Sequence, residues 1–193
     1  FPGIFWIAGA AWTSQFYYDY WLYTGNEQFL KQQAIPFMDG AVRFYEQYLY
    51  EEDGNYIVNP SYSPEIRPLN IETNVVTNAT MDIASIKQLL RNMLALVEEG
   101  HIHPDKERIA KWKDIIKRLP PYTVGTDGAF KEWISPGLEN DDKHRHCSHL
   151  YPWYYEMDPE VENSESFNLA CTKAIENRLV HRRKIKGGTM AYG

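Results

Sequence analysis

The chain has 193 residues, of which 20 are Lys or Arg and 26 are Asp or Glu, giving a net charge of −6 at pH 7 with neutral histidine. This length suits one domain of ordinary size, and the acidic balance without a basic stripe disfavours a nucleic-acid binder. The two cysteines are too few for a disulfide scaffold and match no paired zinc spacing, and no apolar run of about 18 residues predicts a membrane span.

Helical spacing of apolar and aromatic side chains predicts the first two helices. The first runs from about Trp6 to Tyr23 and ends at Thr24-Gly25-Asn26, a typical helix stop. The second runs from Glu27 to Tyr50, with Pro36 inside the pattern as a kink or break. We interpret the two as a helical hairpin.

Helical spacing returns in three later segments. They run from Asp82 to Gly100, from Asp105 to Leu119 and from Asn163 to about His181. No stretch reads as an extended sheet. The sequence therefore predicts an all-α chain of paired antiparallel helices, with residues 1–193 in a single domain.

Two long irregular stretches separate these helices, at residues 51–78 and 122–151. Connectors of this length are uncommon in compact domains and are usually functional or disordered. The unusual residues of the chain lie in these stretches. We therefore expect rigid helices to present a site that is built on loops.

The first stretch contains Asn59-Pro60-Ser61-Tyr62-Ser63-Pro64-Glu65, in which a carboxylate follows two prolines that stiffen the backbone. A general acid needs such a fixed position. Among aromatic rings, desolvation would raise the pKa of Glu65 and keep it protonated as a proton donor. The alternative is an ordinary solvated turn glutamate.

The second stretch contains His144-Arg145-His146-Cys147-Ser148-His149. If this segment is helical, His146 and His149 share a face and His144 points elsewhere. Polar recognition or a buried hydrogen-bonded histidine is favoured over a metal site, for which no further ligand is specified. The guanidinium of Arg145 can hold Glu65 or another carboxylate, or bind ligand oxygens.

Two weaker patterns remain. Glu132-Trp133 places an acid beside a flat ring just upstream of the histidines, although an ordinary core tryptophan explains it as well. Lys186-Gly187-Gly188-Thr189 lacks the spacing of a phosphate loop, so nucleotide binding is disfavoured and no cofactor is predicted. The 14 Tyr, 8 Phe and 6 Trp suit either a core or a sugar-binding cleft.

Taken in order, several short motifs resemble the catalytic domain of glycoside hydrolase family 95. The most specific feature is Ser63-Pro64-Glu65, followed about 80 residues later by His-Arg-His-x-Ser-His-Leu-Tyr. The other motifs are Trp6-Ile7-Ala8-Gly9-Ala10-Ala11-Trp12, Tyr23-Thr24-Gly25-Asn26, Met81-Asp82, Leu119-Pro120-Pro121, Asp127-Gly128, Glu132-Trp133 and Gly187-Gly188-Thr189. The resemblance implies part of an (α/α)6 toroid and an inverting exo-glycosidase that releases terminal L-fucose or L-galactose from glycans.

The resemblance also implies roles for particular residues. Glu65 would be the general acid, which protonates the glycosidic oxygen while water attacks the opposite face of the sugar. His144 would lie behind the bound sugar, as would His149. The residues implied in substrate binding are Trp6, Glu132, Trp133, Arg145, His146 and His149. The implied partners are a glycan substrate and the rest of the same polypeptide, with no metal, and the implied location is secreted, periplasmic or cell-surface.

The sequence departs from the family pattern in two places. The upstream Asn-x-Asn segment is absent, so we interpret the chain as an incomplete portion of the catalytic domain. Lys186 stands where an acid is expected before Gly-Gly-Thr. Either the alignment slips there, another acid such as Asp82 acts as the base, or hydrolysis is impaired. The alternatives are therefore a catalytically impaired carbohydrate-binding helical domain and a helical interaction module.

Overall fold

The computed structural model describes residues 6–154 and 157–184, with side chains described as far as His181. The chain divides into two compact units. The loop unit comprises residues 1–6, 59–84 and 121–193, and the helical unit comprises residues 7–58 and 85–120. That residues 1–193 form a single, incomplete domain stays a prediction.

The helical unit begins with α1, Gly9–Thr24. This helix ends at Gly25, whose φ of 61° lies in the left-handed region and whose N–H donates to the carbonyl oxygen of Trp21. Glycine adopts this conformation without the steric cost that a Cβ would bring. The predicted first helix and its stop signal are confirmed, although the helix starts three residues later than the spacing indicates.

A helix of three parts follows, made of α2 (Glu27–Phe29), a π-helical turn (Leu30–Ala34) and α3 (Ile35–Tyr48). The irregular turn lies directly before Pro36, which has no N–H to donate to the preceding turn. Such a gap in the hydrogen-bond ladder is a common cause of π-bulges and kinks. The predicted break at Pro36 is therefore confirmed as a local widening of a continuous helix.

Aromatic rings fill the contact between α1 and the helix that follows it. The ring of Tyr17 stacks on that of Phe37, with centroids 4.6 Å apart, and lies 5.8 Å from that of Phe29. The hydroxyl of Tyr45, which is buried, donates to the carbonyl oxygen of Ile7 at 2.7 Å. These aromatic residues therefore serve packing, and the predicted helical hairpin is present.

A small β-hairpin follows α3. Strand β1 (Tyr50–Glu52) pairs antiparallel with β2 (Asn55–Ile57), and Asp53 and Gly54 form the turn with φ of 47° and 79°. The sequence predicts no sheet, so this part of the prediction is wrong. The strands are too short to show alternation, and only the Asp-Gly pair signals the hairpin.

Two further helices were predicted to within about two residues. They are α4 (Thr80–Glu98), whose first residues belong to the loop unit, and α5 (Lys106–Arg118). On α5, the fully buried Trp112 donates its indole N–H to Glu46 at 2.7 Å. The same carboxylate accepts from Arg108 at 2.8 Å, so a partly buried ion pair anchors α5 within the helical unit.

The loop unit contains a 3-10 helix (Ser148–Trp153), a short helix α6 (Pro159–Glu162) and α7 (Glu165–Lys184). Ile66, Val76, Ala79 and Trp133 form a small buried core in this unit, against which Ile71 and Leu138 pack. Helices make up most of the described part of the chain, so the mostly helical prediction is confirmed. Within that part, no helix is both long enough and apolar enough to cross a bilayer.

Candidate active site

Residues 59–65, which we call the Glu65 loop, are held at their centre by Asp82 in the first turn of α4. The carboxylate oxygen Oδ2 accepts from the hydroxyl of Ser61 at 2.6 Å and from the backbone N–H of Tyr62 at 3.0 Å. Ser61 also exchanges two backbone hydrogen bonds with Val76, at 2.7 and 2.8 Å. The loop backbone is therefore fixed several residues before Glu65.

Asp82 is completely buried, and burial raises its pKa to about 7. Hydrogen bonds from Ser61, from the backbone of Tyr62 and from Trp6 lower the pKa but do not offset the desolvation. The same contact places Trp6 beside Asp82. A carboxyl group with no accessible surface has no route to bulk water, and the interpretation of Asp82 as a base stays a prediction.

A second buried carboxylate, that of Glu132, holds the loop nearer to Glu65. Its Oε1 accepts a hydrogen bond from the hydroxyl of Ser63. Its Oε2 lies 2.7 Å from Nδ1 of His149 and 2.9 Å from Nη2 of Arg178. The side chains of Glu132, His149 and Arg178 each expose at most 2% of their surface. They form one hydrogen-bonded cluster behind the loop.

The charge state of this cluster follows from its partners. Burial alone raises the pKa of Glu132, but the positive charges of His149 and Arg178 and the hydrogen bonds from His149 and Ser63 lower it to about 2. Glu132 is therefore ionised near neutral pH. Since an ionised carboxylate only accepts hydrogen bonds, Nδ1 of His149 carries a proton directed at Glu132.

Arg178 on α7 is a buried site residue that the sequence did not reveal. Besides Glu132, its guanidinium reaches two backbone carbonyl oxygens, those of Asp141 at 3.0 Å and His144 at 2.9 Å. Nothing in the local sequence distinguishes it, because an arginine near the end of a helix is ordinary. The need of a buried Glu132 for a charged partner could have pointed to Arg178. That need becomes visible only once the fold shows that Glu132 is buried.

Glu65 itself lies at the surface, with 53% of its side chain exposed. Its carboxylate pairs with Nη2 of Arg145 and lies 3.1 Å from Nε2 of His146. The hydrogen bond with His146 and the charge of Arg145 lower the pKa of Glu65. The expected rise in pKa by desolvation is therefore wrong for this structure, because Glu65 faces solvent and two basic side chains instead of aromatic rings.

A side-chain hydrogen bond to the backbone also joins the two loops that meet at Glu65. Ser148 donates its hydroxyl hydrogen bond to the carbonyl oxygen of Pro64 at 2.7 Å. The backbone N–H of His146 donates to Nδ1 of His144 at 3.2 Å, and burial lowers the pKa of that imidazole. The predicted proximity of Glu65 to the histidine segment is thereby confirmed.

The structure separates the predicted site residues into two groups. Glu65, Arg145 and His146 meet at the surface, with 53%, 44% and 26% of their side chains exposed. The remaining predicted residues lie behind them or beside Asp82, and these are the buried Glu132, Trp133 and His149 and the partly buried Trp6. Catalysis by Glu65 stays a prediction. So does sugar binding by the other six residues, which are Trp6, Glu132, Trp133, Arg145, His146 and His149.

In the histidine segment the helix begins only at Ser148 and runs to Trp153. His146 therefore lies outside the helix and shares no helix face with His149. Within residues 6–154 and 157–184, no three His, Cys, Asp or Glu side chains are grouped so as to hold a metal ion. Lys186 and the following Gly-Gly-Thr lie outside the described residues.

Residues 2–192 match the Glycosyl hydrolase family 95 catalytic domain. The chain belongs to glycoside hydrolase family 95. Two relatives are similar to it along most of its length. One is Alpha-L-fucosidase 2 of Arabidopsis thaliana, 30% identical over 181 residues, and the other is Probable alpha-fucosidase A of Aspergillus niger, 26% identical over 180 residues.

These matches cover 92% and 89% of this chain but only 21% and 22% of the two relatives. The chain therefore spans about a fifth of the length of the two relatives that it resembles.

Proposed function

We propose that the full-length protein is an inverting exo-glycosidase of the α-L-fucosidase type, which releases terminal L-fucose or L-galactose from glycans. The observation that carries this proposal is the placement of Glu65 against Arg145 and His146 on an accessible surface. Family membership and the names of the two relatives support the substrate class.

In this proposal Glu65 donates a proton to the glycosidic oxygen, while a water molecule attacks the opposite face of the sugar. Glu65 must then be protonated in the substrate complex, although His146 and Arg145 lower its pKa in the free protein. A sugar that covers the carboxyl group removes water from it, and sugar oxygens compete for the donors of Arg145. Both changes raise the pKa of Glu65 towards that of a proton donor.

Arg145 and His146 also provide the donors that bind sugar hydroxyl groups. Arginine carries five N–H donors in a fixed plane, which suits recognition of several oxygens at once. Glu132 and His149 form the buried cluster behind the Glu65 loop, Trp133 lies in a small core with Ile66, and Trp6 lies beside Asp82. We assign no base among the described residues, because the carboxylates of Asp82 and Glu132 lack contact with solvent.

The fold proposal is that residues 1–193 form an incomplete portion of an (α/α)6 toroid, completed by the rest of the same polypeptide. Its support is the mostly helical structure, in which α1 packs against α3, together with the small fraction of the relatives that the chain covers.

Hydrolysis by the full-length protein tests the proposed function. Terminal α-L-fucosides and α-L-galactosides are incubated with the protein, and proton NMR follows the anomeric signals of the released sugar. We expect the β-anomer first, because an α-linkage is cleaved with inversion. An α-anomer appearing first would contradict inversion.

The same assay distinguishes the proposed hydrolase from the alternative, a carbohydrate-binding domain without hydrolytic activity. Lys186, in the position where the family has an acid, is the feature that favours that alternative. Binding of L-fucose, detected by saturation-transfer NMR, without release of sugar from any fucoside or galactoside would replace the hydrolase proposal with a binding function.

A further inference from the structure

We propose that Arg178 is a positioning residue of this site: its buried guanidinium holds the Glu65 loop and the Arg145-His146 segment together so that Glu65 meets both basic side chains. The inference rests on the proposed function for its catalytic consequence. The geometry on which it stands lies entirely within the loop unit.

One side of the guanidinium holds the segment that leads to Arg145. Nη1 donates to the carbonyl oxygens of Asp141 and His144, at 3.0 and 2.9 Å. The second carbonyl belongs to the residue directly before Arg145. The position of that backbone, and with it the start of the Arg145 side chain, therefore depends on a donor from α7.

The other side of the guanidinium holds the loop that leads to Glu65. Nη2 donates to Oε2 of Glu132 at 2.9 Å, and Oε1 of the same carboxylate accepts from Ser63, two residues before Glu65. The connection from Arg178 to the Glu65 loop thus passes through one buried carboxylate. Glu132 is itself fixed by Asn140, whose side-chain oxygen accepts from its backbone N–H at 2.9 Å.

Positioning explains this arrangement better than stability does. A buried ion pair gains little net stability over apolar side chains of similar volume, because both charges lose their hydration. Arg178 is 2% exposed and directs donors at two backbone carbonyl oxygens before Arg145 and at the carboxylate that holds Ser63 of the Glu65 loop. The planar guanidinium holds those acceptors in a fixed geometry, which the single ammonium of lysine does not reproduce.

Loss of this connection has a measurable effect at Glu65. The charged and titratable groups that face Glu65 are Arg145, His146 and Tyr62. If the segment of Arg145 and His146 moves away, the carboxylate loses its two basic partners and its pKa rises. A proton donor acts in its protonated form, so the fall in kcat/KM on the alkaline side then shifts to higher pH.

The test compares two variants that interrupt the connection at different points in the full-length protein. Arg178→Lys removes the planar donors but keeps the charge, and Ser63→Ala removes the link between Glu132 and the loop. We expect each to lower kcat on the order of tenfold to a hundredfold with a smaller change in KM, and to shift the alkaline limb upwards. Since both act on one connection, the double variant loses less than the product of the single losses.

A matched control lies in the helical unit. Arg108 is also a largely buried arginine, which pairs with Glu46 at 2.8 Å and Asp39 at 2.5 Å. Arg108→Lys should lower the thermal midpoint while leaving kcat and the pH profile as in the parent. If Arg178→Lys and Ser63→Ala behave as this control does, the positioning inference is wrong. Should Arg178→Lys fail to fold, Ser63→Ala alone decides the question.

A measurement that does not depend on hydrolysis tests this inference separately from the proposed function. Carboxyl ¹³C NMR of glutamate-labelled full-length protein follows the titration of Glu65, assigned by the signal that is missing in Glu65→Gln. We expect a higher pKa for Glu65 in Arg178→Lys and Ser63→Ala than in the parent. An inactive parent would end the hydrolase proposal but leave this comparison intact, and equal pKa values in all three proteins would overturn the positioning role.

Discussion

Ser148 donates a hydrogen bond to the carbonyl oxygen of Pro64 at 2.7 Å, joining residues 84 positions apart in sequence. The acceptor belongs to the residue directly before Glu65, and the donor follows the His144–Cys147 segment that carries the basic partners of Glu65. The candidate proton donor and its partners are therefore held by the Ser148 hydroxyl as well as by their own side chains.

Replacing Ser148 with Ala should loosen this contact. We expect a loss of about 1 kcal/mol in the free energy of unfolding, the usual net value of one hydrogen bond, and a severalfold fall in kcat/KM. Urea denaturation and hydrolysis of a fucoside by the full-length protein measure the two effects. Ser166→Ala is the control, because the hydroxyl of Ser166 lies at the surface and contacts that of Ser164. Equal results for the two variants would contradict the role given to Ser148.

Glu132→Gln should be among the most destabilising single changes in the loop unit. It leaves the charge of Arg178 buried without its carboxylate, and breaking a buried pair typically costs about 3–5 kcal/mol. The surface pair of Glu27 and Lys31, 2.9 Å apart, is the comparison. Glu27→Gln should cost far less in the same urea titration, because solvent screens an exposed ion pair. Similar losses for both variants would mean that the Glu132 cluster is not rigidly assembled.

Glu132 also predicts how stability changes in acid. Its pKa is lowered from 4.5 to about 2, so the ionised form stabilises the folded state above the unfolded pKa. This contribution is lost as the pH falls from about 4.5 through about 2. Thermal midpoints of the parent should therefore fall more steeply across this window than those of Glu132→Gln. Parallel curves for the two proteins would contradict the charge state assigned to the cluster.

Asp82 predicts that the stability of the folded state decreases as the pH rises, which is the opposite of the effect of Glu132. Its pKa is raised from 3.8 to about 7, so the folded state favours the protonated carboxyl group. The resulting stability is fully present below about pH 3.8 and is lost as the pH rises through about 7. Asp82→Asn keeps a neutral acceptor for Ser61 and Tyr62 and removes this titration. Its stability should decline less than that of the parent between these pH values, and identical slopes would show that Asp82 is ionised throughout.

Much of the helical framework could be predicted from the sequence because each helix carries a local signal. Gly25 marks the end of α1, and Pro36 marks the irregular turn before α3. The β-hairpin was missed because three-residue strands have no periodicity, and only the Asp53-Gly54 turn indicated it. Local patterns thus predict elements whose determinants are local.

The site was predicted less completely, because its chemistry depends on contacts between distant segments. The pairing of Glu65 with Arg145 and His146 agrees with the motif order, but the direction of the Glu65 pKa shift did not follow from the abundance of aromatic residues. Arg178 carries no motif at all, and its importance appears only once α7 is packed against Glu132.

The assignment of Glu65 as proton donor is tested by Glu65→Gln in the full-length protein, with Glu72→Gln as the matched control. Glu72 is also an exposed glutamate that pairs with an arginine, Arg67. Because both side chains are exposed, neither change should alter the unfolding midpoint appreciably.

The measurement is kcat/KM on an unactivated α-L-fucoside and on an aryl fucoside whose leaving group needs no proton. We expect Glu65→Gln to lose about a hundredfold to ten-thousandfold on the first substrate and much less on the second, while Glu72→Gln retains the parent rate on both. Cleavage of the unactivated fucoside by Glu65→Gln at close to the parent rate would show that Glu65 is a surface turn residue and not the acid.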